Sequence, residues 1–152
     1  MSSPLTLKVK RLVKDAKLPT KAHQTDAAFD FYWCPKIKNR TPMPLASKGQ
    51  ETLVELETGI ALEIPPGYFI LLHERSGMAK QGVTLVGGVI DADYRGEIII
   101  FLQGPYSPLY GLKAGDRVAQ GLLLPVPEVE VVESEELSET GRGTSGFGST
   151  GK

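Results

Sequence analysis

The chain has 152 residues, a mass of 16.4 kDa, 41% hydrophobic and 23% charged residues, which fits one domain with a real core and argues against disorder. Seventeen basic and eighteen acidic groups leave a formal charge of −1, a poor basis for non-specific nucleic-acid binding, which is driven by neutralising phosphates. No apolar run approaches the roughly 18 residues of a membrane span, residues 1–10 lack the apolar stretch of a signal peptide, and a single cysteine, Cys34, excludes an internal disulfide framework and any multi-cysteine zinc site.

Glycines (17) and prolines (11) fall between short apolar runs that predict strands. Leu5, Leu7 and Val9 alternate on one face, as do Ile60, Leu62 and Ile64. Phe69 to Leu72, Ile98 to Leu102 and Leu122 to Leu124 are continuous runs, the pattern of strands buried on both faces. One short helix is predicted from Ser76 to Gly82, with Ser76 as its N-cap. Val129 and Val131 alternate with Glu128 and Glu130 in a further strand-like stretch, inside an acidic run that ends at Glu139. Many short strands with frequent turn signals predict an all-β sandwich, jelly roll or barrel. Residues 1–139 form the predicted domain, and the glycine-rich segment 140–152 reads as its flexible arm, since such a segment cannot fold alone.

Four stretches carry chemistry-bearing residues. Glu74-Arg75-Ser76-Gly77-Met78-Ala79 is either a plain helix start or an anion site built from N–H groups, a hydroxyl and a guanidinium. Gly87-Gly88-Val89-Ile90-Asp91-Ala92-Asp93-Tyr94-Arg95-Gly96-Glu97 reads as a hairpin with its turn at Asp91 to Gly96; the paired glycines would also let a flat ligand approach the backbone. Gly115-Asp116-Arg117-Val118-Ala119-Gln120 reads as a turn with a buried Asp116–Arg117 pair, or as a means of bringing Gln120 to a ligand. In the tail, Phe147 can stack on a base, while Arg142, the hydroxyls and successive N–H groups can hold phosphates; a plain Gly/Ser tail is the alternative. His23 and His73 have no close cysteine partner, and neither a Walker A loop nor a Gly-x-Ser-x-Gly elbow is present.

With Asp26-Ala27-Ala28-Phe29-Asp30-Phe31 as the first, these stretches resemble, in order, the five motifs of the trimeric dUTPase family, spanning residues 26–151. Three positions depart from the family's usual pattern: Ala28 stands for Gly, Glu74 for Pro, and Thr144-Ser145 precede Gly146 where a second Gly is common. The resemblance implies a distorted jelly roll and a homotrimer with shared sites. It implies hydrolysis of dUTP to dUMP and pyrophosphate, which keeps uracil out of DNA and supplies dUMP for thymidylate synthesis. It makes Asp91 the general base for water attack on the α-phosphorus, because a carboxylate accepts hydrogen bonds and a proton without donating. Tyr94 would pack under the deoxyribose. The backbone from Gly88 and Val89 onward would read the uracil edge. Arg75, Ser76, Gly77 and Gln120 would hold the α- and β-phosphates; Arg142, Ser149 and Thr150, with Gly148, would hold the γ-phosphate; Phe147 would cover the base. Mg²⁺ would sit on the triphosphate and keep water as its other ligands, with Asp30 reaching it only through water.

The competing readings are a dCTP deaminase on the same fold, a dUTP-gated binding protein and an inert structural trimer. Pyrophosphate, ammonia or neither product separates the first two from a hydrolase. No direct nucleic-acid or membrane partner is expected, and the setting reads as cytoplasmic or otherwise intracellular.

Overall fold

The computed structural model describes residues 4–37, 39–141 and 143–144. In chain order the strands are β1 (Lys8–Arg11), β2 (Ala28–Tyr32), β3 (Pro44–Lys48), β4 (Glu51–Glu63), β5 (Tyr68–His73), β6 (Thr84–Leu85), β7 (Val89–Ile90), β8 (Glu97–Pro105) and β9 (Arg117–Pro125). Two short helices are α1 (Ser76–Ala79) and α2 (Tyr106–Tyr110). One sheet runs β1-β4-β8-β6 with β3 also on β4; the other runs β2-β9-β5-β7. All pairs are antiparallel. The architecture is the expected all-β jelly-roll sandwich.

The core lies between the sheets. Val54, Leu56, Ile98, Ile100 and Leu102 enter from one side, and Phe31, Ile70, Leu72, Val118 and Ala119 from the other. The runs in β5 and β8 are buried on one face only. Ile98, Ile100 and Leu102 are fully buried, while Ile99 and Phe101 are half-buried, as are Phe69, Leu71 and Leu122 to Leu124. Alternation persists within a continuous apolar run because successive side chains still point to opposite sheet faces.

In β4, Thr52, Val54 and Leu56 are buried at every second residue, and then the register slips between Glu57 and Ala61. Gly59 sits in this slip at φ +68, and a Cβ there would lie 2.5 Å from Val13 Cγ2. Beyond it Ile60, Ala61 and Leu62 are all buried, so the predicted Ile60/Leu62/Ile64 face is joined by a residue of the opposite parity. Cys34 is buried beside this slip, and burial pushes its thiol pKa up, with Asp15, Glu97 and Glu57 adding to the shift.

Several expectations are corrected. Two helices form where one was expected. Segment 104–111, which carries no motif, makes α2 because Leu109 plugs the core and the Tyr106 and Tyr110 rings, one turn apart, stack at 3.7 Å. Ser76 does not cap α1: Arg75 holds the N-cap position and no side chain bonds there. Of the first alternating stretch, only residues from Lys8 onward pair, and Leu5 stays exposed. No strand forms at Val129 and Val131, which are 71% and 94% exposed and pair with no strand among the described residues.

Candidate active site

The Gly87 to Glu97 stretch is not a hairpin. β7 pairs with β5 in one sheet, whereas β8 pairs with β4 and β6 in the other. The intervening residues cross between sheets because Ile98, Ile100 and Leu102 are drawn into the core opposite β5. The crossing opens a cleft of about 420 Å³ between Leu72, Leu85, Gly87, Gly88, Ile99 and Phe101, with Val89, Asp91 and Tyr94 also lining it. This is a suitable size for a small ligand.

Gly88 adopts φ +113, a conformation open to glycine, and its carbonyl accepts the Leu72 N–H at 2.7 Å. The Tyr94 N–H donates to the Asp91 carbonyl at 3.2 Å, and the Tyr94 hydroxyl donates to the Glu97 carbonyl at 3.0 Å. Arg95 Nη1 donates to the carbonyls of Ala92 (2.7 Å) and Tyr94 (3.1 Å). A Cβ at Gly96 would collide with the Tyr94 ring, so glycine there lets the ring lie back over its own loop. The Asp91 backbone is thereby held, while its exposed carboxylate takes no hydrogen bond or ion pair among the described residues.

A second group of site residues gathers at one end of the other sheet. Asp30 on β2 stands opposite Gln120 on β9, which stands opposite His73 at the end of β5. Arg75, two residues beyond, turns back so that its Nε donates to Asp30 Oδ1 at 2.8 Å. Arg117 Nη1 reaches Asp30 Oδ2 at 3.3 Å. In a regular strand Arg117 and Gln120 would point to opposite faces. The register shift between Phe31 and Tyr32 inserts Val118 as an extra residue and brings Arg117 round to the Asp30 side. Asp30, Arg75, Arg117 and Gln120 line a cleft of about 420 Å³, and Arg75, Gly77 and Arg117 also line a neighbouring one of about 560 Å³. Two guanidiniums here share one carboxylate.

The expected Asp116–Arg117 pair does not form. Asp116 Oδ2 instead accepts the Lys113 N–H at 2.8 Å and closes the turn before β9, because Arg117 is engaged by Asp30. Arg117 was not among the residues expected at the site; only the bulge reveals it. Glu74 was missed too. Its carbonyl accepts Gln120 Nε2 at 3.0 Å and its Oε2 accepts the Leu85 N–H at 3.2 Å. Bonds from its own N–H and from Leu85 hold the Glu74 carboxyl below the ordinary glutamate value, so this contact is kept above the usual carboxylate range and lost as pH falls through the lowered value.

Ser76 is exposed beside Gly77. Arg142, Phe147, Gly148, Ser149 and Thr150 lie outside the described residues. Within one chain, the cleft that Asp91 lines shares no lining residue with the two clefts that Arg75 lines.

Among the described residues no three His, Cys, Asp or Glu side chains converge, and both Asp30 oxygens face guanidiniums.

Asp30→Ala is expected to lower stability by about 1–3 kcal/mol, the scale of hydrogen bonds to charged groups, because it leaves two guanidiniums facing each other without their anion. Thermal melts check this, with Arg117→Gln costing less because its side chain is 47% exposed and its bond longer.

A sheet sandwich with a glycine-walled cleft and a separate guanidinium cluster offers the groups that a nucleotide-binding site needs. Residues 14–151 match the dUTPase family model. The chain is 38% identical over 151 residues to the deoxyuridine 5′-triphosphate nucleotidohydrolase of Nautilia profundicola, covering 97% of this chain and all of that one. A Staphylococcus bacteriophage 80alpha dUTPase variant with dUpNHpp superposes at a TM-score of 0.76, with 27% identity over 97% of this chain and 99% of that one. A variant of the dUTPase from phage phi11 of S. aureus, solved to show coordination of a structural Mg(II) ion, superposes at 0.68 with 25% identity over 86% and 97% of the two chains. The chain belongs to the trimeric dUTPase family and is an enzyme of dUTP hydrolysis to dUMP and pyrophosphate.

Proposed function

We propose that the Gly88 cleft takes the deoxyuridine and that Asp91 is the general base directing water to the α-phosphorus. The observation that carries this reading is the cleft itself, where glycine backbone forms the wall and a tyrosine ring lines the same space as a carboxylate that has no partner among the described residues. Backbone N–H and carbonyl groups in a fixed wall can read a pyrimidine edge, and a mismatched base leaves buried polar groups unpaired. The Tyr94 ring, tied by its hydroxyl to Glu97, supplies a flat face for the sugar.

Arg75, Ser76, Gly77 and Gln120 hold the α- and β-phosphates in this reading, and Mg²⁺ enters with the substrate on the triphosphate oxygens and water. Asp30 keeps Arg75 aimed. The separation of the Asp91 cleft from the Arg75–Gln120 group supports a homotrimer in which different chains complete each site. The unpaired apolar side chains of Val126, Val129, Val131, Val132 and Leu137 support it further, since exposed apolar segments of this extent usually meet a partner. The oligomeric mass in solution tests this.

Residues 140–152 are assigned as an arm of the 1–139 domain that covers the bound nucleotide, with Phe147 over the base and Arg142, Gly148, Ser149 and Thr150 at the γ-phosphate. Truncation after Thr140 is expected to leave a folded assembly with turnover reduced by about a hundredfold or more, the scale of losing a closing element. Near wild-type turnover would sink the assignment. No helix among the described residues is long and apolar enough to cross a membrane. A single free cysteine, Cys34, fits the intracellular setting of this reading.

The function is tested by pyrophosphate release from dUTP, beside dTTP, dCTP and UTP. Turnover of dUTP alone supports it. Ammonia release points to the deaminase, and binding without products to a sensor.

A further inference from the structure

We propose that Glu74 is a positioning residue that sets the wall of the base cleft and the amide of Gln120 together, an inference that rests on the dUTP reading of the cleft. Glu74 is half-buried at the exit of β5, one residue before Arg75. Its carboxylate accepts the Leu85 N–H at 3.2 Å. That N–H lies on the side of β6 away from β8: the next amide, Val86, donates back to Phe101 at 2.9 Å, and a strand's amides alternate in direction. Without the carboxylate, Leu85 keeps a half-buried donor with no partner.

Leu85 is a wall of the cleft. Its Cδ2 lies 3.0 Å from where a Cβ on Gly88 would be, so any shift of Leu85 changes the space at the glycine. At the other end of the same residue, the Glu74 carbonyl takes one amide hydrogen of Gln120 at 3.0 Å. Gln120 is left with its second hydrogen and its oxygen for substrate. One residue therefore braces both the base wall and a phosphate-side amide, through bonds that touch no substrate. A glutamine at 74 can supply the same side-chain acceptor to Leu85 without the charge, whereas alanine keeps only the backbone carbonyl that Gln120 uses.

The test uses the full-length enzyme with Glu74→Ala and Glu74→Gln, reading KM and kcat for dUTP, the preference for dUTP over dTTP, and amide hydrogen exchange at Leu85. Glu74→Ala is expected to raise KM about tenfold with kcat within about threefold, to narrow the preference, and to speed Leu85 exchange, the scale seen for supporting groups behind a binding site. Glu74→Gln is expected to stay within about twofold of wild type in all of these. If Glu74→Ala fails to fold, wild-type KM and Leu85 protection in Glu74→Gln still support the acceptor role, and their loss overturns it. Equal Leu85 exchange in wild type and Glu74→Ala overturns the proposal whatever the substrate. A wild type inert on dUTP with Leu85 exchange responding as stated overturns the dUTP reading and the substrate half of this inference, leaving Glu74 as a brace alone.

Discussion

Asp91→Asn is expected to lower kcat for dUTP by about 10²–10⁴-fold, the range for removing a general base, while dUTP still binds. The substitution keeps the side chain's size and shape, and the loop does not depend on the carboxylate. Asp91 is held through its carbonyl by the Tyr94 N–H, and the neighbouring loop by Arg95 on Ala92 and Tyr94. Val89 and Ile90 anchor the loop's start against Leu71 and Ile70. None of these bonds uses the Asp91 side chain. An amide in its place can still orient a water but cannot take its proton. Pyrophosphate release and direct titration with dUTP, run on the same preparation, separate the two effects. Retained turnover within tenfold of wild type would remove Asp91 from the base role.

Gly88→Ala is expected to damage both stability and binding. An added Cβ would stand 2.7 Å from the Leu72 carbonyl oxygen and 3.0 Å from Leu85 Cδ2, at φ +113. The carbonyl belongs to a central ladder strand and cannot swing away without breaking the bond between Leu72 N–H and Gly88. Strain of this kind costs about 1–3 kcal/mol. A fall of about 3–10 °C in Tm is expected for a chain of this length. KM for dUTP is expected to rise about tenfold or more, because the wall that reads the base has moved. Gly77→Ala serves as the stability control: a Cβ at Gly77 meets nothing within 4 Å, so its Tm should not change. A Gly88→Ala enzyme with wild-type Tm and KM would show that the cleft wall is not held as described.

The departures from the family's usual residues have different weights. Ala28 begins β2 opposite Leu122 within a regular part of the ladder, so the methyl is accommodated there. Glu74 brings one side-chain hydrogen bond, from the Leu85 N–H, that a proline side chain does not offer. Thr144 is described but Ser145 and Gly146 are not, and nothing in the structure bears on that part of the tail.

Composition and strand periodicity were enough to read the all-β class, and the resemblance carried by five motifs in order implied the jelly roll and the reaction. Those features are local: a β-branched alternating run, a glycine pair or an Asp-Tyr spacing can be read in a short stretch of chain. Which strands pair was not local. Val89–Ile90 and Glu97–Pro105 look like two arms of a hairpin, yet they join different sheets, because β8 pairs with β4 and buries its alternate side chains in the core between the sheets. Arg117 falls on the Asp30 side only because a single bulged residue reverses its parity. Glu74 matters only because β6 happens to present an amide to it. The helix at Tyr106–Tyr110 forms where Leu109 finds the core, and the Val129–Val131 stretch pairs with no strand among the described residues. Sequence therefore determined the class and the chemical groups, through periodicity and motif. The tertiary structure decided which groups meet, because register, bulges and burial depend on partners far away along the chain.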